Sequence, residues 1–354
     1  MAGQRGLGAP PVETRVLPGT SPASIAVAAA ALRAGELVAF PTETVYGLGA
    51  DAVDARAVAR VFAAKERPRF DPLIVHVADV DEVARYAIQE DAADPRVATL
   101  AARFWPGPLT LVLRKRDTVP GIVTAGLPTV ALRIPAHPVA LALIRAAEVP
   151  IAAPSANRFG RVSPTRAEHV VRQLAGRVRI VLDGGPCRVG VESTVLLLAD
   201  GDAVLLRPGG LPVESIEEAI GPVRRHANVD AGAAALSPGR QASHYAPGAP
   251  LAIVDPWPGP GPGLGLGLAA AAGERVGLLA ADAAGRAAAE AAGGPFAAVE
   301  VLSARGDPTE AAASLFDALH RLDAAGLDRI VVQPVAEDGL GRAIMDRLRR
   351  AARP

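Results

Sequence analysis

The sequence of 354 residues has very little cysteine. A single cysteine, Cys187, excludes a disulfide framework and a structural zinc site built from several cysteines. Aromatic residues make up only 3% of the chain, but hydrophobic residues make up 50%, which is enough to bury a core. We therefore expect a folded protein with neither a disulfide framework nor a cysteine-rich zinc site.

An excess of charge of one sign is also lacking. The 37 basic residues are balanced by 37 acidic ones, which argues against a protein that coats DNA, because such proteins are strongly basic. Only two of the basic residues are lysines, Lys65 and Lys115. The longest Ala-rich apolar run, 25–32, is far shorter than the ~18 residues that a membrane span needs. We expect a cytoplasmic protein that makes no membrane contact.

Several common catalytic signatures are missing. The chain has no G-x-x-x-x-G-K-[ST] motif, and its glycines at 263, 265 and 267 do not have the dinucleotide-binding spacing. The motifs H-E-x-x-H, C-x-x-C and G-x-S-x-G do not occur either. These absences remove the main support for a P-loop NTPase, a simple metalloprotease, a thioredoxin-like protein or an esterase.

Apolar strand patterns alternate with helical patterns over residues 20–226, which is typical of an α/β domain around one twisted sheet. Residues 1–19 mix Gly, Pro and isolated charges without periodicity and predict a flexible tail. Residues 227–250 are rich in Ala, Gly and Pro and predict a linker. A second alternation over 251–354 predicts a smaller C-terminal α/β domain.

Polar residues collect where the predicted strands end. The segment 41–49 reads P-T-E-T-V-Y-G-L-G and directly follows a predicted strand, at a place where α/β sheets collect ligands. Taken alone, it is explained equally well as a hydroxyl-rich turn. The segments P-S-A-N at 154–157 and S-P-T at 163–165 have two interpretations, helix capping and phosphate binding at a helix N-terminus.

Buried or clustered cations are a second signal. Lys65 and Arg67 precede Pro68 at the end of a predicted helix, where they suit either a polyphosphate or a solvated helix C-terminus. His76, within an apolar strand, is either a core histidine or a ligand residue. Arg133 lies in a buried-strand pattern and needs a counter-charge, from a carboxylate of the protein or from one of a ligand.

The order of the motifs is more specific than any one of them. The chain carries, in sequence, P-T-E-T-V-Y-G-L-G, K-E-R-P, P-L-I-V-H-V, F-W-P-G-P-L-T, A-L-R-I-P-A-H-P, A-P-S-A-N, S-P-T, V-E-S-T-V and L-R-P-G. This series closely resembles that of the YrdC-domain threonylcarbamoyl-AMP synthases over about residues 20–222. The later S-P-G and H-Y-A-P segments and the second α/β domain resemble the long, two-domain form of that family.

The resemblance implies a fold and an activity. The expected fold is a YrdC-like twisted mixed sheet with helices and an open concave groove, plus a smaller, Rossmann-like C-terminal domain. Members of the family are nucleotidyltransferases that make L-threonylcarbamoyladenylate from L-threonine, bicarbonate or CO2, and ATP, with release of pyrophosphate. Partner proteins then transfer the threonylcarbamoyl group to the adenosine next to the anticodon of tRNA. The resemblance further implies Mg²⁺ carried by the ATP phosphates rather than by protein side chains, and at most weak contact with tRNA.

The resemblance also assigns site residues. Lys65 and Arg67 match a K-x-R element and are implied to be the catalytic groups that hold the triphosphate. The implied contacts of L-threonine are Thr44, His76, Arg133, Ala153 and Ser193. The implied further contacts of ATP are Asp71, Thr129, Ser155, Asn157, Ser163, Arg207 and Tyr245. Because Tyr245 resembles a residue that folds over the nucleotide, residues 231–250 form a hypothetical lid.

The chain departs from the family pattern at two places. Family members often have Asn where Asp71 stands, and a carboxylate there would repel phosphate unless a cation offsets it. The linker reads S-P-G-R-Q-A-S-H-Y-A-P, whereas the family usually carries Met and Lys after the S-P-G.

The main rival hypothesis is a non-catalytic YrdC module that binds double-stranded RNA or tRNA. It predicts salt-dependent RNA affinity without pyrophosphate release, and it does not explain the residues assigned to an amino acid. Hydrogenase-maturation carbamoyltransferases also contain a YrdC-type domain, but they are much longer and carry Cys-rich zinc fingers, which a single cysteine excludes.

Overall fold

The computed structural model describes residues 12–68, 71–199, 201–225, 244–257, 271, 273–293 and 296–353. Within them the chain forms two α/β units. The strands of the first unit are β1 Arg15–Pro18, β2 Val38–Pro41, β3 Tyr46–Asp51, β4 Ile74–His76, β5 Leu109–Arg114, β6 Thr129–Arg133, β7 Ile151–Ala152, β8 Ile180–Asp183, β9 Thr194–Ala199, β10 Asp202–Arg207 and β11 Arg224–Arg225. Its helices are α1 Pro22–Arg33, α2 Ala55–Lys65, α3 Val83–Tyr86, α4 Gln89–Ala92, α5 Pro95–Phe104, α6 Pro138–Ala147, α7 Ala167–Leu174 and α8 Val213–Ile220, with a 3₁₀ turn at Val80–Glu82.

The first unit is built on one mixed sheet. Among the described residues its strands lie in the order β1-β8-β2-β3-β7-β4-β6-β5-β9-β10-β11. Successive side chains of β2 enter different clusters: Val38 and Phe40 pack with helices α1 and α6, whereas Ala39 packs with α2, α5 and α7. Because side chains alternate across a strand, the helices cover both faces of the sheet. The predicted α/β fold with a twisted mixed sheet is therefore confirmed.

Two expectations for the N-terminal region are wrong. Arg15–Pro18, predicted within the flexible tail, forms the edge strand β1 and pairs in parallel with β8. Residues 1–11 of that tail lie outside the described residues. Segment 41–49 is not a single loop, because its second half is strand β3, antiparallel to β2. Gly49 is required in β3, since a Cβ there would lie 2.7 Å from Cγ2 of Ile151 and 2.8 Å from the ring of Phe40.

The second unit contains four described strands and three described helices. They are β12 Leu251–Ile253, β13 Val276–Ala280, β14 Ala298–Val301, β15 Arg329–Val332, α9 Ala283–Gly293, α10 Pro308–Ala324 and α11 Gly341–Ala351. The strands lie in the order β12-β15-β13-β14, and every pairing between them is parallel, as expected for a Rossmann-like sheet. None of the helices in the described part of the chain is both long and apolar enough to cross a bilayer.

The two units share a hydrophobic cluster. Val45, Val191 and Tyr245 from the first unit and the linker pack with Phe316 of α10 and Ile344 of α11. Two ion pairs flank this contact: Arg166 with Asp317 at 3.2 Å, and Arg342 with Glu214 at 2.7 Å. The second unit therefore covers the side of the sheet where the polar loops lie.

Helix α1 offers a test of the first core. Leu32 of α1 is fully buried in the cluster that α1 forms with α6, whereas Val27 of the same helix is 44% exposed. We expect Leu32→Ala to lower the free energy of unfolding by about 2–5 kcal/mol, because the truncation leaves a cavity. Val27→Ala should change it by less than about 0.5 kcal/mol. Urea unfolding followed by circular dichroism measures both, and equal effects would contradict the packing described here.

Candidate functional site

A cavity of about 50 Å³ lies where the polar loops of the first unit meet the linker. Polar and apolar residues at the ends of seven strands, β2, β3, β4, β6, β7, β9 and β10, contribute to it. Its lining comprises Thr42, Thr44, Val45, Gly47, Arg67, Ile74, His76, Arg133, Ala153, Pro154, Ser155, Glu192, Ser193, Arg207, His244 and Tyr245. The structure thus brings together nine of the residues assigned from the sequence, namely Thr44, Arg67, His76, Arg133, Ala153, Ser155, Ser193, Arg207 and Tyr245.

Arg133 ends strand β6 beside His76, its register partner on the parallel strand β4. Its Nη2 donates to Oε1 of Glu43 at 2.7 Å and to Oγ1 of Thr44 at 2.9 Å. The second oxygen of Glu43 accepts from the backbone N–H of Ala136 at 2.9 Å. Of the two counter-charges that the sequence left open, the structure therefore supplies a carboxylate of the protein. Among the described residues no hydrogen bond engages Nη1 of Arg133, so the guanidinium keeps a donor for a ligand.

His76 is held as a neutral imidazole. Burial and the neighbouring Arg133 lower its pKa to about 3. Its Nδ1 lies 3.3 Å from the carbonyl oxygen of Ile151, so this nitrogen carries the proton and donates. Nε2 is then a hydrogen-bond acceptor at the cavity, which suits an amine or a hydroxyl of a ligand.

Ser193 and Arg207 form a second polar group at the cavity. Arg207 ends strand β10, is 3% exposed, and donates from Nη2 to the carbonyl oxygen of Ser193 at 2.9 Å and to its Oγ at 3.2 Å. The Ser193 hydroxyl also lies 2.8 Å from Oγ1 of Thr110. Burial lowers the pKa of Arg207. These contacts fix the V-E-S-T loop against the end of β10.

Arg67 reaches the cavity from the turn after α2. A left-handed Glu66 at the C-cap of α2 reverses the chain. Nη2 of Arg67 then pairs with Oδ2 of Asp71 at 2.8 Å and donates to the carbonyl oxygen of Pro72 at 3.1 Å. Asp71 therefore acts as the counter-charge of Arg67, and it does not line the cavity.

Lys65 is 1% exposed and does not line the cavity either. Its Nζ donates to the carbonyl oxygens of Ser155 and, at 2.5 Å, of Asn157. Burial lowers the pKa of Lys65 well below its usual value. Lys65 thus holds the S-A-N loop by hydrogen bonds to its backbone, and Ser155 of this loop lines the cavity.

Three further assigned residues lie outside the lining. Thr129 begins β6, at the opposite end of that strand from Arg133. Nδ2 of Asn157 donates to the carbonyl oxygens of Arg158 and Arg161, both at 2.8 Å. Ser163 lies behind the cavity, where its hydroxyl donates to Oε1 of Glu192 at 2.6 Å.

Tyr245 closes the cavity on the linker side. It is 1% exposed, has a left-handed φ of 66°, and stacks on Phe316 with the ring centroids 5.5 Å apart. Burial raises its pKa. His244 and Tyr245 thus cover the groove that was expected to be open. Residues 231–243 of the hypothetical lid lie outside the described residues.

Comparison with known proteins decides the family. A family model described as "Telomere recombination" matches residues 30–209, and one described as "Threonylcarbamoyl-AMP synthase, C-terminal domain" matches residues 211–353. The chain belongs to the two-domain threonylcarbamoyl-AMP synthase family. The family assignment made from the ordered motifs is thereby confirmed.

The similarity to members of this family extends over nearly the whole chain. The chain is 46% identical to a threonylcarbamoyl-AMP synthase of Pyrococcus abyssi, and the match covers 93% of this chain and 94% of the relative. It is 47% identical to a threonylcarbamoyl-AMP synthase of Bacillus subtilis, and that match covers 94% of each chain. A crystal structure of P. abyssi Sua5 complexed with L-threonine is 40% identical, has a TM-score of 0.82, and matches over 96% of this chain and 97% of that one.

Glu43, Glu192 and Arg347 were not among the residues assigned from the sequence. Glu43 stands within the P-T-E-T motif of this family, and the need of a buried Arg133 for a carboxylate was the available signal. Burial acts to raise the pKa of Glu192, but Arg347 and Arg207 outweigh it, and the pKa lies below its usual value. Arg347 is one of several arginines in a C-terminal amphipathic helix, so no local pattern distinguishes it.

Gly209 offers a test of the V-E-S-T loop. A Cβ at this position would lie 2.3 Å from the carbonyl carbon of Ser193 and from the nitrogen of Thr194. Both are backbone atoms, so neither can move away without a shift of the loop. We expect Gly209→Ala to displace Ser193 and to lower the free energy of unfolding by about 1–3 kcal/mol, because the added methyl group overpacks the loop. Urea unfolding measures it. Gly121→Ala is the matched control, because a Cβ there meets nothing within 4 Å; equal free energies of unfolding in the two variants would contradict the prediction.

Proposed function

We propose that this chain synthesises L-threonylcarbamoyladenylate from L-threonine, bicarbonate or CO2, and ATP, and releases pyrophosphate. One observation carries the proposal: three buried arginines, Arg67, Arg133 and Arg207, reach one cavity that also presents the hydroxyls of Thr44 and Ser193. Cations confined in so small a space favour anionic ligands. An amino-acid carboxylate and a triphosphate supply those anions.

L-threonine would occupy the part of the cavity between β4, β6 and the V-E-S-T loop. Arg133 would donate from Nη1 to its carboxylate, in addition to its bonds to Glu43 and Thr44. The neutral His76 would accept from the amine or the hydroxyl, with Ser193 and the backbone of Ala153 completing the contacts. The P. abyssi relative was crystallised with L-threonine, which supports this assignment.

ATP would enter on the side of Arg67 and Arg207. The threonine amine adds to the carbon of CO2 and loses a proton, and an oxygen of the resulting carbamate attacks the α-phosphorus. The bond from the α-phosphorus to the bridging oxygen breaks, and the electron pair leaves with pyrophosphate. Arg67 and Arg207 would stabilise the charge that grows there, while Lys65 keeps Ser155 and Asn157 in place. Catalysis then consists of positioning and charge stabilisation.

Mg²⁺ would arrive with the phosphates. Glu192 is the carboxylate at the cavity, and its two oxygens already accept from Ser163 and Arg347. The described residues contain no group of three or more His, Cys, Asp or Glu side chains placed to hold a metal ion. The donor set therefore suits a metal coordinated by the triphosphate rather than by the protein. Transfer proteins in the cytoplasm would consume the adenylate to modify tRNA.

The reaction can be tested directly. Incubation of the protein with L-threonine, bicarbonate and ATP–Mg should yield the adenylate and pyrophosphate, measured by chromatography. Omission of threonine should abolish pyrophosphate release, because the carbamate is the nucleophile; release without threonine would overturn the proposal. Salt-dependent RNA binding without any pyrophosphate would instead favour the RNA-binding module.

Variants of Lys65 and Arg67 can be compared in the same assay, with the other lysine, Lys115, as the control. Lys65→Met and Arg67→Met should each lower the rate roughly tenfold to a hundredfold, since each removes charge-assisted hydrogen bonds. Lys115→Met should leave the rate unchanged, because the Lys115 Nζ donates to the carbonyl oxygen of Val119, outside the cavity lining.

Tyr245 is expected to act as a lid. The cavity of about 50 Å³ is far below the roughly 300 Å³ or more of a typical ligand site, so Tyr245 would move to make room for ATP. Once back in place, it would exclude water from the carbamate and the mixed anhydride. Tyr245→Ala should lower the yield of adenylate and speed its hydrolysis, whereas Tyr245→Phe should behave as the parent. Unchanged yield and hydrolysis in Tyr245→Ala would refute the lid.

A further inference from the structure

The structure assigns Arg347, in the last helix of the C-terminal unit, the role of positioning residue for the nucleotide side of the site. Arg347 does not line the cavity. It acts through residues that do, so the C-terminal unit contributes to the binding of ATP as well as to the cover over the sheet. This inference rests on the proposed function.

Arg347 is fully buried, and its guanidinium contacts residues of both units. Nε donates to Oε2 of Glu192 at 2.9 Å. Nη1 donates to the carbonyl oxygen of Pro208 at 2.6 Å and to Oδ2 of the adjacent Asp346 at 2.9 Å. The guanidinium carbon also lies 5.5 Å from the centroid of the Tyr245 ring, within cation–π range.

Three of these contacts, those with Glu192, Pro208 and Tyr245, support a residue assigned to ATP. The other oxygen of Glu192 accepts from the hydroxyl of Ser163, so Arg347 orients Ser163 through the carboxylate. Pro208 directly follows Arg207, and Tyr245 closes the cavity. A single guanidinium thus supports Ser163, Arg207 and Tyr245 together.

A second residue of the C-terminal unit supports the same serine. Nε2 of His320, in α10, donates to the carbonyl oxygen of Ser163 at 3.1 Å. Its ring stacks on His169 of the first unit with the centroids 3.8 Å apart. Both the backbone and the side chain of Ser163 are therefore fixed from across the interface.

Docking alone does not account for Arg347. The ion pair of Arg342 with Glu214 also joins α11 to the first unit, but its side chains are 21% and 45% exposed, as is usual for a rim contact. Burying a charge costs far more than placing it at the rim, and a buried pair is a poor source of stability. The buried arginine orients Glu192, Pro208 and Tyr245, which an ion pair at the rim cannot do.

The threonine side of the site depends less on Arg347, although the assigned contact Ser193 is hydrogen-bonded to Arg207. Arg133 is matched by Glu43 and Thr44, and His76 by Ile151, all within the first unit. Loss of Arg347 should therefore impair ATP binding selectively. A merely structural residue would instead reduce the active fraction and leave both KM values unchanged.

The test compares two arginines of the same helix in the full-length protein. Arg347→Met should raise the KM for ATP about tenfold to a hundredfold, as expected for the loss of charge-assisted hydrogen bonds, and change the KM for L-threonine by less than about threefold. Arg342→Met, the matched control, should leave both values unchanged. Arg347→Lys keeps a cation that can reach Glu192 and should recover part of the ATP affinity; it also serves if Arg347→Met fails to fold.

A double variant tests whether Arg347 acts through Glu192. Glu192→Gln should raise the KM for ATP, and adding Arg347→Met to it should raise the KM by less than the product of the two single effects. Additive effects, equal rises in both KM values, or an unchanged KM for ATP in Arg347→Met would overturn the inference. Titration of ATP alone separates this failure from that of the proposed function. A parent protein that makes no adenylate refutes the function, whereas a Kd for ATP that Arg347→Met leaves unchanged refutes the positioning role.

Discussion

The site depends on one constraint: every guanidinium removed from water must be matched by acceptors. An uncompensated buried charge costs several kcal/mol, about as much as the whole margin of stability of many domains. Arg133 is matched by Glu43, Arg67 by Asp71 and Arg347 by Glu192. Each ion pair joins segments that the strand pairing of the sheet does not connect. The pairs that neutralise the buried cations therefore also fix the shape of the cavity.

The same constraint connects the two units. Glu192 lies at the cavity, but its strongest partner comes from α11, more than a hundred residues later in the chain. The apolar part of the contact is continuous with it, because Val191 and Tyr245 pack in the cluster of the C-terminal helices. The shape of the cavity and the docking of the second unit therefore depend on the same side chains. This explains physically why a second domain can influence a site whose cavity is lined by the first domain and the linker.

Much of the fold could be predicted from local patterns. Strand β13 coincides with its apolar run, and α2 follows Asp54, whose side chain accepts from the backbone N–H of Arg56. The prediction failed where context overrides pattern. Strand β3 contains two glycines and in the sequence resembles a loop, but at Gly49 its neighbours leave no room for a Cβ. Strand β1 has mostly exposed side chains and is defined only by its hydrogen bonds to β8.

The sequence by itself determined the family, because nine short motifs in a fixed order are far more specific than their local chemistry. It also indicated that Arg133 needs a counter-charge. Only the tertiary structure decided that Glu43 supplies it, that Lys65 binds the carbonyl oxygens of Ser155 and Asn157, and that Arg347 reaches Glu192. These partners lie 90 or more residues apart. Strand register and the docking of the second unit bring them together, and neither is encoded in any local stretch of the chain.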